Sequence, residues 1–376
     1  MSSFYKNYLP ASELEDSTSV KVSDLLCLIE KSDYYHQLTK LFDIESIKDE
    51  IIQLPGLKVV INSCIRMNSS LAKLDINSHP AKIRPFQIDG SKELLLQFYE
   101  NTDYQNLQFS AKTAYNVKSE FYQGFYGIDK FADYCTNKGL FDIISKNVAQ
   151  INETLKDNEE HNKRFRFLRD VDNNYFVRAI TSTTVYRDYN ILFSVFVTAM
   201  QLHMLSREYD HSYTIIECDL TESSITLLVK KVDPMIIDNI GEVNFTIQMT
   251  NDEIKRSAFR LDMVYSVSLD DDIGQYTYFN PPKSNLVSMG HGKKLTTVLE
   301  NIETLGTQIN RFMAEMSADL SELFNINDPR RMQFKIIERI KNKSIFNKYK
   351  EPMLRELNRE VNRLSETVSE SVSVIC

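Results

Sequence analysis

Arg164-Phe165-Arg166-Phe167-Leu168-Arg169 runs into Asp170-Val171-Asp172-Asn173-Asn174 and then Tyr175-Phe176-Val177-Arg178-Ala179-Ile180. Basic and aromatic residues alternate, an Asp/Asn turn follows, and a second aromatic and β-branched run resumes, which predicts a β-hairpin. Outward from it, further strands are expected at Tyr213–Asp219, Ile225–Val232, Val243–Met249 and Phe259–Leu269. Between hairpin and strands, Tyr189–Ser206 is apolar on nearly every side, the pattern of a helix with little surface of its own. The block therefore predicts an α+β fold with a central, largely antiparallel sheet and a buried helix, flanked by helical N- and C-terminal regions.

The flanks read as follows. Residues 1–158 carry helical spacings at Val20–Lys31, Tyr34–Ile44, Leu57–Leu74, Lys92–Glu100, Ile128–Asn137 and Leu140–Leu155. Ser78–Pro85, with two prolines, is expected to be extended. A polar stretch from Lys156 to Asn162 marks the first boundary, giving domains at 1–158, 159–294 and 295–376. In the last of these, Leu295, Ile302, Ile309, Met316 and Leu323 stand seven apart, as do Leu354, Val361, Val368 and Ile375. A stripe formed by Leu354, Leu357, Val361 and Leu364, rimmed by alternating Arg and Glu, predicts a helix that pairs with a second copy, making the protein a homo-oligomer.

Composition narrows the classes. With 376 residues and 42% hydrophobic content the chain is an ordinary globular one of two or three domains. A net charge of −8 means that any polyanion contact would use a local basic patch. No apolar run reaches the ~18–20 residues of a membrane span. The start, Met1-Ser2-Ser3-Phe4, lacks a secretory pattern. Five scattered cysteines, none in a CxxC pair, point to reduced thiols in a cytosol.

Catalytic motifs do not emerge, and no catalytic residue, cofactor or metal site is assigned. Asp270-Asp271-Asp272 would suit a hard cation, but a solvated turn accounts for it better. His203, His211 and Cys218 fit no zinc-module spacing. The aromatic run Phe121–Tyr126 could stack bases, with core packing the favoured account. Gly290-His291-Gly292-Lys293-Lys294, ahead of a helix, resembles an anion loop but departs from Walker A at Lys294. The basic residues Lys163, Arg164, Arg166, Arg169, Arg178, Lys293 and Lys294, interleaved with Phe165, Phe167 and Tyr175, form the candidate nucleic-acid-binding set. Phosphates would be neutralised and bases stacked, against the competing account of inward phenylalanines and paired arginines.

Arg178-Ala179-Ile180-Thr181-Ser182-Thr183-Thr184-Val185-Tyr186, Ile240-Gly241-Glu242-Val243 with Met249-Thr250-Asn251, and Gly290-His291-Gly292-Lys293 together resemble the phage/plasmid-like protein family, a domain of unknown function. The resemblance covers about residues 165–297. It departs at Tyr186, one place late, at Asp252 where the family has Ser, and at Gly290 where it has Arg. It implies a mobile-element protein of the host cytoplasm near replication and recombination functions, and no known reaction. The expectation is a non-enzymatic phage or plasmid protein that handles single-stranded nucleic acid in binding or annealing. The alternative is a structural or interaction component, a virion protein or an inhibitor of a host protein, assembling through its helices.

Overall fold

The hairpin forms where its residue pattern places it. In the computed structural model, strands Lys163–Arg169 and Tyr175–Ser182 pair antiparallel, and the Asp170 carboxylate closes the turn by accepting from the backbone of Asp172 and Asn174. A hydrogen bond from the Asn174 side chain, with those two backbone bonds behind it, favours the charged carboxylate and lowers its pKa from the ordinary value. The structure describes residues 4–15, 18–87, 93–99, 109–155, 158–237, 241–254, 256–268, 276–279, 285–324, 334, 336–338, 340–341 and 349–360.

The strands, in chain order, are β1 (Lys6–Pro10), β2 (Val20–Lys21), β3 (Ile51–Ile52), β4 (Ala72–Ser78), β5 (Ile83–Gln87), β6 (Leu94–Phe98), β7 (Phe109–Thr113), β8 (Lys163–Arg169) and β9 (Tyr175–Ser182). They continue as β10 (Tyr213–Thr221), β11 (Ser224–Lys231), β12 (Met235–Ile237), β13 (Gly241–Asp252), β14 (Phe259–Ser268), β15 (Tyr276–Phe279) and β16 (Asn285–Met289). One sheet runs β1-β10-β11-β13-β14-β15, with β12 on β13 and β16 on β14. A second runs β4-β8-β9-β7-β6-β5, antiparallel except for the β7–β9 pair. The hairpin thus belongs to a different sheet from the later strands, and the expected single central sheet is two.

The expected flanking helical regions are not there. Residues 1–158 contribute β1 to the first sheet and β4 to β7 to the second, so strand and helix are mixed from the start. Lys92–Glu100, expected as a helix, contains β6, whose apolar residues alternate as Leu94, Leu96 and Phe98 with every second one buried. A run of four Leu and Phe with few breakers suits either period, and strand neighbours on both sides decide it. Sheet pairing also crosses the boundary drawn near residue 158, since β4 and β7 bracket the β8–β9 hairpin. At the other end, helices Leu295–Glu303 and Leu305–Phe324 lie in the main core through Val298, Ile302, Leu305, Ile309 and Met313, rather than forming an arm.

Two cores result. The larger joins the first sheet to helix Leu57–Ser70, the short N-terminal helices, the C-terminal pair and helix Ile191–Tyr209. That last helix is buried along almost its whole length, as its sequence predicts. The smaller core packs one face of the second sheet, through Phe98, Phe165, Phe167 and Val177, against helices Val117–Tyr126, Asp129–Asn137 and Phe141–Leu155. Phe121, Tyr122 and Phe125 are inside it, so this aromatic cluster is core. Among the described residues no helix is long and apolar enough to cross a membrane.

Candidate functional site

The other face of the second sheet carries charge. Along β8, Phe165 and Phe167 enter the small core while Arg166 points away from it, 2% exposed. Strict alternation in β9 would send Arg178 and Ala179 to opposite faces. The register breaks there, however: Arg166 pairs with Ala179, and Phe167 pairs with Val177. Arg178 is the additional residue, and this bulge turns its side chain to the Arg166 side. In β4, Lys73 and Asp75 share that face, with Asp75 opposite Arg166.

Glu253, just past β13 in the first sheet, meets them. Its carboxylate accepts from Lys73 Nζ at 3.0 and 2.9 Å, from Arg178 Nη1 at 2.6 Å, and from the Ile191 backbone N–H at 3.0 Å. Its carbonyl accepts from Arg166 Nη1 at 2.9 Å and Tyr186 Oη at 2.8 Å. Arg166 further pairs with Asp75 at 3.2 Å and Asp188 at 2.8 Å. Burial alone would raise the Glu253 pKa, but Lys73, Arg178 and Arg166 outweigh it and hold the carboxyl far below the usual carboxylate range. Burial pushes the Lys73 ammonium down, with Glu253 opposing. The first turn of helix Ile191–Tyr209, capped by Asn190 Oδ1 on the Phe193 N–H, adds its positive end beside Glu253.

On this account Arg166 and Arg178 are corrected. They are internal, not surface cations: Arg178 pairs with the Glu253 carboxylate, 75 residues downstream, and Arg166 pairs with Asp75 and Asp188 and donates to the Glu253 carbonyl, 87 residues downstream. The other candidates fall differently. Lys163 and Arg164 lie at the end of β8 beside Ser182 and Thr181, and Arg164 Nη2 reaches the Thr183 carbonyl at 3.5 Å. Arg169 is exposed at the opposite end of that strand, ~20 Å away at strand rise. Lys293 and Lys294 are exposed in the loop before helix Leu295–Glu303, as expected, and Lys293 Nζ donates to the Ser288 carbonyl.

That loop borders a groove of about 480 Å³, lined by Ser182, Val185, Tyr186, Arg256, Arg260 and His291 among others. Arg256 and Arg260 are cations that the sequence pattern did not single out. Arg256 is held by Asp252 at 2.9 Å and lies 5.1 Å over the Tyr115 ring. His291 stacks on Tyr186 at 5.0 Å, and its two ring nitrogens each lie 3.0 Å from a backbone carbonyl, of Arg187 and of Asp252. The groove therefore gathers Arg256, Arg260 and the Gly290–Gly292 part of the loop, and its lining Ser182 is the strand partner of Lys163.

The remaining candidates disperse. His203 bonds Glu50 at 3.0 Å, Cys218 is buried in the main core, and His211 lies by Tyr209 and Tyr213. Among the described residues, no group of three His, Cys, Asp or Glu is placed to hold a metal. Asp270–Asp272 lie outside the described residues, as do Val361 and Leu364. In helix Lys350–Glu360, Leu357 is 7% exposed within the single chain and Leu354 is half-buried. No family model, curated protein or solved structure matches the chain.

Proposed function

We propose that the protein is a non-enzymatic nucleic-acid-handling protein of a phage or plasmid, acting in the host cytoplasm, and that it binds single strands along the groove beside Gly290–Lys294. The observation that supports this is that Arg256 and Arg260 line one groove of an otherwise acidic protein, with Lys293 and Lys294 in the loop that borders it and Lys163 paired in the sheet with its wall residue Ser182. Phosphate neutralisation needs cations that are solvated and grouped, and these are grouped. The resemblance of residues 165–297 to the phage/plasmid-like family favours the same setting. Fluorescence anisotropy with a labelled oligo(dT) across a salt series tests it. Arg260→Glu with Lys294→Glu is expected to weaken binding at least tenfold and to flatten the salt slope, by about 0.7 for each phosphate no longer neutralised. Arg166 is unsuitable for this test, since reversing it would break the buried cluster. Absence of wild-type binding at low salt, or binding indifferent to both reversals, refutes the reading.

A further inference from the structure

A second cavity, of about 300 Å³, lies against the buried charge cluster and is independent of the groove reading. Lys73, Asp75 and Asp188, with side chains 22%, 30% and 34% exposed, form its outer part. Arg178 and Glu253, 0% and 1% exposed, lie at its depth. Arg178 spends only Nη1 on Glu253. Its Nε and Nη2 have no hydrogen-bond partner among the described residues. These two nitrogens carry the parallel N–H groups of one guanidinium edge, the fork that grips a carboxylate with two bonds. An unpaired buried charged donor is costly, so a fork left without a partner on a residue that lines a cavity points to a partner the protein itself does not supply. Side-chain shifts must admit that partner, because each of the two nitrogens has under 1 Å² of accessible surface.

The charge balance narrows that partner. Lys73, Arg166 and Arg178 face Asp75, Asp188 and Glu253, three against three, so the walls are neutral as a set. A dianionic phosphate would add two negative charges beside three carboxylates. A single carboxylate on the fork adds one. Asp188 then asks for the complement: its Oδ2 accepts from Arg166 at 2.8 Å, while Oδ1 is buried without a partner among the described residues. It can only accept from a donor. We propose that this cavity binds a small carboxylate carrying a hydrogen-bond donor, ammonium or hydroxyl, with the carboxylate on Arg178 Nε and Nη2 and the donor on Asp188 Oδ1.

The test follows the arginine Nε–Hε signals of the full-length, ¹⁵N-labelled wild type during titration with glycine, L-lactate, acetate and inorganic phosphate. The Arg178 signal is assigned through its own backbone amide, so no variant need fold. Glycine or L-lactate is expected to shift it saturably, with acetate at least tenfold weaker for want of the donor. Asp188→Asn is expected to weaken the better of the two by tenfold or more. A signal unmoved by every probe overturns the site. Acetate as effective as the others, or unchanged binding in Asp188→Asn, overturns the donor half, and a response to phosphate alone overturns the ligand class.

Discussion

Glu253→Gln is the substitution that the buried cluster resists most. It keeps the shape and an oxygen for the Ile191 N–H, and removes one negative charge from between Lys73 at 2.9 Å and Arg178 at 2.6 Å. Lys73 keeps part of its side chain in water and can resolvate, so its share is small, about 1 kcal/mol or less. Arg178 cannot, with its side chain 0% exposed. An uncompensated charge left by removing one partner of a buried pair costs about 3–5 kcal/mol. Against a total stability of about 5–15 kcal/mol, the variant should fold but with a much lower urea midpoint. Adding Arg178→Met removes the orphaned charge as well, and the double variant should recover part of the loss. Urea unfolding followed by circular dichroism measures Glu253→Gln, Arg178→Met and the double variant against the wild type. A cost below about 1 kcal/mol for Glu253→Gln, or a double variant as unstable as the sum of the singles, refutes the claim that this pair is coupled.

The same carboxylate gives a pH signature. Its pKa in the folded protein is depressed below its ordinary value of 4.5, so its contribution is present above that pH and is lost as pH falls below it. Wild-type stability should therefore drop on acidification below about pH 4.5, and Glu253→Gln should lack that component.

Three further outcomes are expected. Iodoacetamide with peptide mapping should label Cys27, which is exposed, in the native protein. Cys64, whose thiol burial pushes up to about 12, should react only after unfolding, as should buried Cys135 and Cys218. Glu222 is buried with Oε1 lacking a partner among the described residues, and burial raises its pKa. Its penalty is absent at low pH and grows as pH rises towards the folded pKa, so Glu222→Gln should stabilise the protein at pH ~7, as a higher urea midpoint would show. Light scattering should find the full chain oligomeric and a chain ending near Lys350 smaller, on the reading that the stripe of Leu354, Leu357, Val361 and Leu364 meets a second copy; a monomeric full chain refutes it.

The hairpin, the buried helix Ile191–Tyr209 and the loop-to-helix step at Lys294 were legible because each is local. Alternation, an all-round apolar helix and a glycine-rich turn need only neighbours in sequence. Strands β1 and β4 to β7 were not, because short strands such as Lys6–Pro10 and Ile83–Gln87 are fixed by partners elsewhere in the chain. The helical reading of residues 1–158 failed for that reason. Arg256 and Arg260 escaped because single arginines beside acids carry no local signal, and only the approach of the Gly290–Lys294 loop makes them a group.

The misplacement of Arg166 and Arg178 has a different origin. In a sheet with one solvated face, residues alternating with phenylalanine are exposed, and that rule sent both arginines to the surface. Here the second face is closed by Glu253, which arrives from the other sheet, so Arg166 is nearly as buried as Phe165. No pattern within residues 163–182 encodes an acid at 253. The bulge at Arg178 then sets two adjacent residues on one side and brings a second guanidinium to the same carboxylate. Arg166 in turn bonds Tyr186, which lines the groove, while itself lining the cavity. The two candidate sites are thus separated by a single hydrogen bond of 2.6 Å between two buried side chains. A substitution at either of those residues must disturb both sites, whereas Arg260 lines the groove alone.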